Sequence, residues 1–138
     1  LVDDHATRLR ELGDALAAFH RATVDLGVDR SVTAFTASEF GRALQSNGRG
    51  SDHGWGGHQF ILGGSTVGGR LFGQWPEVAL GGREDAGQGR LVPTTSVDEF
   101  AATLVRWFGV PMSDLGTIIP NIGRFASRDL GFMGALPA

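Results

Sequence analysis

This sequence predicts an α/β fold, and three observations point to it. Leucines and a phenylalanine recur at helical spacing over residues 3–26. A short β-branched run, Ser31-Val32-Thr33-Ala34-Phe35-Thr36, follows directly. Further along, Ser96 and Glu99 stand at capping-box spacing ahead of a second helical pattern. A helix leading into a strand that is apolar on both faces is one step of an α/β wind.

In the first helix the apolar face is Leu9, Leu12, Leu16, Phe19 and Leu26, with alanines between them and Gly27 as the stop. Arg8, Arg10, Glu11, Asp14 and Arg21 fall mostly on the solvated side, and His5 and His20 read as surface or boundary residues. The run at 31–36 predicts a strand buried beside this helix. Glu39 and Arg42 come next, in Ala37-Ser38-Glu39-Phe40-Gly41-Arg42. They would lie at the strand's carboxyl end, where open α/β sheets bind ligands. An ordinary salt bridge at a helix start explains the pair equally well.

Residues 45–57 are polar and glycine-rich and predict a long loop. Gln59-Phe60-Ile61-Leu62 and Arg70-Leu71-Phe72-Gly73-Gln74-Trp75 predict two strands, joined through 63–69 as a β-hairpin extension. Residues 64–70 superficially resemble a phosphate-binding loop. That loop needs Gly-Lys-Ser/Thr, and the chain has Gly69-Arg70-Leu71, so a nucleotide site is rejected. Residues 81–90 form another polar loop. The second long helix then buries Phe100, Leu104, Trp107 and Phe108, and ends at Gly109 and Pro111. Residues 113–138 predict a packed, mostly irregular tail, and no internal repeat is visible.

The 138 residues suffice for one compact domain or a piece of a larger one. An apolar fraction of 41% describes a globular chain, and no apolar run reaches the roughly 20 residues of a membrane span. A formal charge of −3 argues against nucleic acid as partner. All twelve basic residues are arginine, which codon bias explains; arginine's bidentate anion contacts are a secondary explanation. Without cysteine, the chain has no disulfide, thiolate metal site or cysteine nucleophile. It begins Leu1-Val2-Asp3-Asp4, which reads as a processed or truncated piece.

The most informative stretch is Gly50-Ser51-Asp52-His53-Gly54-Trp55-Gly56-Gly57-His58. Carboxylate oxygen and imidazole nitrogen are usual ligands for zinc and similar divalent ions. Glycines let the backbone approach an ion without side-chain obstruction. The competing explanation is a glycine-rich surface turn in which Asp52 caps a neighbouring amide and His53 is merely polar.

These segments together resemble an exported family known as domain of unknown function 1501, with sulfatase-like relatives in the alkaline phosphatase superfamily. The matching pieces are Thr36-Ala37-Ser38-Glu39-Phe40-Gly41-Arg42, the Asp-His stretch above, Gly68-Gly69-Arg70-Leu71-Phe72-Gly73, and the residues from Pro93 through Leu104. They follow the family's order across most of 32–110. The resemblance implies a three-layer α/β/α sheet fold of which residues 1–138 supply only the C-terminal part, the N-terminal half being the missing partner. It implies a divalent metal, zinc being one candidate, held by Glu39, Asp52 and His53. His58 would be a ligand or orient one, and Arg42 would orient Glu39 or meet an anionic substrate. The nucleophile would lie outside this chain.

The function so implied is part of a metal-dependent hydrolase of phosphate or sulfate esters, inactive as this chain alone. The alternative, from another class, is a non-catalytic exported binding or assembly subunit built on the same fold.

Overall fold

A computed structural model describes residues 2–135. Its elements are α1 (Val2–Asp25), β1 (Thr33–Phe35), β2 (Gly41–Ser46), β3 (Ser51–Gly54), β4 (Ile61–Gly63), α2 (Val97–Trp107) and α3 (Leu115–Ile118). Single 3₁₀ turns lie at Asp29–Ser31, Met112–Asp114 and Ile122–Arg124. Mixed helix and strand is what the sequence predicts. No helix among the described residues is long and apolar enough to cross a membrane.

The strands form two antiparallel pairs, β1 with β4 and β2 with β3. In the first, Thr33, Ala34 and Phe35 stand opposite Gly63, Leu62 and Ile61. Thr36 prolongs the pairing, because its N–H donates to the Phe60 carbonyl (3.0 Å) and its hydroxyl accepts from the Phe60 N–H (2.9 Å). β1 is half-buried rather than buried on both faces. Its Phe35 ring meets Phe100 of α2 edge-on at 5.6 Å and still stays 49% exposed.

The stretch at 45–57, predicted as loop, contains most of the β2–β3 hairpin instead. Its covered positions are Gly41, Ala43 and Gly54, while Arg42, Asp52 and His53 are exposed. A strand whose inward residues are glycine and alanine shows no hydrophobic alternation, so its period of two was invisible. The glycines are needed there. A Cβ on Gly41 would overlap the carbonyl oxygen of Gly56.

The predicted strand at 70–75 does not form, so there is no hairpin extension; the run at 59–62 does supply β4 (Ile61–Gly63). Leu71 points to solvent, whereas Phe72 packs edge-on against Phe132 at 6.0 Å. That tertiary contact, and not strand pairing, uses the apolar residue.

α2 begins as predicted. Ser96 Oγ accepts the Glu99 N–H (3.0 Å) and the Glu99 carboxylate accepts the Ser96 N–H (3.0 Å). Its buried face differs, for Ala102 and Thr103 are fully covered while Phe108, just past the last turn, is 83% exposed. Ala102 packs with Leu115, Ile119 and Ile122, flanked by Ala101, Val105 and Val110. The tail closes against this unit. Phe132 is buried beside Phe100 at 5.4 Å, and its carbonyl accepts the Val67 N–H (2.9 Å).

α1 packs against β4 and the turn at Asp29–Ser31, and its buried residue lies near its C-terminal end. Thr23 is buried there, with Leu16 and His20 half-buried. The apolar face predicted for burial is otherwise open: Leu9, Phe19 and Leu26 are all exposed. His5 lies on the surface and His20 at the boundary, as the sequence reading has them.

Candidate functional site

Every residue singled out by motif lies on the β2–β3 ribbon or on the segments entering and leaving it. Successive side chains along a strand leave opposite faces, and this rule sorts Arg42, Asp52 and His53. Arg42 and His53 are directly opposed across the ribbon. The His53 imidazole lies flat on the Phe40 ring, with centroids 3.6 Å apart and planes 12° apart. The Arg42 guanidinium sits 5.1 Å from the centre of the same ring. It also donates to the Ser51 carbonyl at 2.9 Å. One exposed face thus carries a cation, an imidazole and an aromatic ring in contact.

Asp52 faces away from that group. Its carboxylate accepts a hydrogen bond from Asn47 Nδ2 at 2.8 Å, and it lines a shallow cleft with Ala43, Gln45, Ser46, Asn47 and Gln88. Adjacent in sequence, Asp52 and His53 therefore do not converge on one point. Alternation along β3 sends them apart where a turn would have let them meet.

Glu39 is exposed in the bend before β2. Ser38 Oγ donates to the Phe40 carbonyl at 2.8 Å, which fixes that bend. The salt bridge of Glu39 with Arg42, allowed as an alternative, does not form. His58 lies on the connection to β4, stacked on Trp75 at 4.6 Å with 23° between the planes. The Thr36 hydroxyl donates to the Gln59 side chain (2.8 Å), so one threonine ties the segment ahead of Glu39 to the segment carrying His58. Among the described residues, no three of His, Cys, Asp and Glu come together as a metal-holding group. The residues present do not by themselves fit a resident metal.

The polar loop read at 81–90 braces the ribbon, a role the sequence reading did not assign to it. Asp85 accepts backbone N–H groups from Gly81, Gly87 and Gly89, each at 2.8 Å. These bonds, that of Gly81 first, hold its carboxyl below the usual carboxylate range against the opposing effect of burial. The loop is stitched to the ribbon at two points: Leu44 N–H to Gly89 carbonyl (3.0 Å), and Gly56 N–H to Leu91 carbonyl (2.9 Å). The signal was present in Asp85-Ala86-Gly87, since aspartate bonding the amide two residues on is a common turn device. Glu84 is buried beside it, and the Arg83 side chain bonded to its carboxylate lowers its pKa.

The family described as "Protein of unknown function (DUF1501)" matches residues 1–118. No curated protein and no solved structure matches the chain.

Proposed function

The chain belongs to this family of unknown function, and we propose that it forms part of a hydrolase of phosphate or sulfate esters. The carrying observation is the opposed pair Arg42 and His53 on one exposed ribbon face. A guanidinium offers paired N–H donors to tetrahedral oxyanions. An imidazole beside it offers a nitrogen that can accept or donate a proton. Glu39 directly precedes Phe40, whose ring His53 covers.

A divalent metal belongs to this reading only together with ligands from polypeptide outside the described residues. His53, Glu39, His58 and Asp52 are the donors this chain would offer. Because Asp52 and His53 leave opposite faces, a shared single ion requires the ribbon to rearrange, and otherwise the two serve different places. The finer fold proposed is the C-terminal part of a three-layer α/β/α sheet. The uncovered face of α1 and the half-covered β1–β4 pair support it, because both are apolar surfaces of the kind such layers bury. Export follows from the family resemblance alone.

The second reading is a non-catalytic exported binding or assembly subunit. The dispersed arrangement of the acidic residues and histidines favours it.

The test uses the complete protein, dialysed and measured for bound zinc, magnesium, manganese and calcium, beside Asp52→Asn and His53→Ala. Generic aryl phosphate and aryl sulfate esters then report turnover. Metal lost in His53→Ala with hydrolysis falling in step supports the hydrolase. Hydrolysis unchanged in both His53→Ala and Arg42→Ala removes this face from catalysis, and absence of turnover with metal retained leaves the binding subunit.

A further inference from the structure

We infer that the cleft between the β2–β3 turn and the Asp85 loop binds an uncharged, hydroxyl-rich ligand, of the size of one saccharide ring. The cleft has a volume of about 180 Å³ and is lined by Ala43, Gln45, Ser46, Asn47, Asp52 and Gln88. It is smaller than the roughly 300–1,000 Å³ of sites that take drug-sized ligands.

The free hydrogen-bonding capacity of these residues selects the ligand. Asn47 is spent on the hairpin: its Nδ2 donates to Asp52 and its Oδ1 accepts the Arg49 N–H at 3.0 Å. Asp52 is thereby oriented, with its second oxygen left as an acceptor. Ser46 Oγ accepts the Gly48 N–H at 3.1 Å and keeps its own O–H to donate. The carboxamides of Gln45 and Gln88 make no hydrogen bond among the described residues, and each offers both donors and an acceptor. The lining is therefore a mixture of donors and acceptors with one negative charge and no cation. An anion would meet Asp52 without compensation. A hard divalent cation needs about six oxygen ligands, several of them charged, and one carboxylate falls short. Hydroxyl groups, each donor and acceptor at once, match the mixture.

The cleft's far wall is held in place at some cost to the backbone. Gln88 sits at φ +61°, a region that few residues other than glycine adopt. The N–H bonds of Gly87 and Gly89 to Asp85, on either side of Gln88, keep it there. Sparsely populated backbone conformations of this kind persist where the surroundings over-determine them, and they cluster at ligand sites.

The inference stands apart from the metal reading, because Gln45 and Gln88 carry it. The test is a titration of the isotope-labelled full protein, freed of metal by chelator, with the methyl glycosides of glucose, galactose and mannose and with N-acetylglucosamine. Calcium chloride and sodium phosphate are titrated separately. The expected result is saturable shifting of the Gln45, Ser46, Asp52 and Gln88 amides by at least one sugar. Gln45→Ala and Gln88→Gly should each weaken that binding roughly tenfold, the loss of one or two hydrogen bonds to a fixed partner. Glycine is chosen at 88 because it accepts the positive φ, so the loop stays folded. Shifts with calcium or phosphate but with none of the sugars would overturn the inference, as would sugar binding unchanged in both variants. Sugar binding by metal-free protein upholds it even where the ester-hydrolase reading fails.

Discussion

A single carboxylate, Asp85, organises more backbone than any residue the motifs pointed to. Its three N–H partners are all glycine amides in one loop, and that loop is bonded to both sides of the ribbon that carries Arg42, Asp52 and His53. Two other carboxylates share the character. Glu99 is lowered first by the Ser96 N–H and then by the Ser127 N–H, and Glu84 first by the bond from the Arg83 side chain. The consequence for pH follows from sign. Each carboxyl has a folded pKa below its unfolded value, so the stability it gives is complete above the ordinary value of about 4. It is lost as pH falls through the lower folded values. Denaturant midpoints should therefore stay level from neutral pH down to about 5 and decline below about 4. Asp85→Asn should be less stable at neutral pH, because its amide N–H₂ faces backbone donors, and should show a shallower acid decline. Identical slopes for the variant and the parent would show that Asp85 does not hold the loop through its charge.

Elements differ in how much of them the sequence revealed, and the differences have physical causes. α2 was legible at its start because a capping box is local: Ser96 and Glu99 satisfy each other's amides whatever the rest of the chain does. Ser96→Ala should cost about 1 kcal/mol, read from the denaturation midpoint. α1 was legible because its apolar period is long, although its burial was not, since burial depends on what lies opposite. The β2–β3 ribbon was missed because close backbone approach replaces apolar side chains on its covered face. Gly41→Ala tests that account. With the Gly56 carbonyl in the way, it should lose about 1–3 kcal/mol, as overpacked sites do. Gly13→Ala, in α1 with open space around it, should instead gain up to about 1 kcal/mol. Equal effects at the two positions would mean the ribbon tolerates a Cβ and that its glycines are incidental. Of the candidate site, the residues were legible and their directions were not. Asp52 and His53 looked like a joint donor pair only while they were assigned to a loop; strand alternation separates them.

At the scale of the whole molecule, the buried apolar residues gather around α2, α3 and the tail, while α1 and the β1–β4 pair contribute little to that core. Leu9, Leu12, Leu16 and Phe19 repeat at intervals of three and four, so they share one face of a helix whose buried residue, Thr23, lies near its C-terminal end. Phe35 and Phe60 are likewise half open on the neighbouring strand pair. Large contiguous apolar surfaces on soluble proteins are usually covered by other polypeptide. On the proposal that this chain is one part of a layered α/β/α domain, further strands would lie under α1 and beside β1. Produced alone, residues 1–138 should then self-associate, or unfold without a cooperative transition, because the ordered helix and strand faces have nothing to bury against. Co-production with the remainder of the protein should give a soluble complex with a single sharp melt. Replacing Leu9, Leu12 and Phe19 by glutamine should improve the solubility of residues 1–138 and weaken that complex, since the same face serves both. A monomer of residues 1–138 that melts sharply in two-state fashion, with α1 protected from hydrogen exchange along its whole length, would refute the layered arrangement. It would leave α1 as a self-sufficient surface helix.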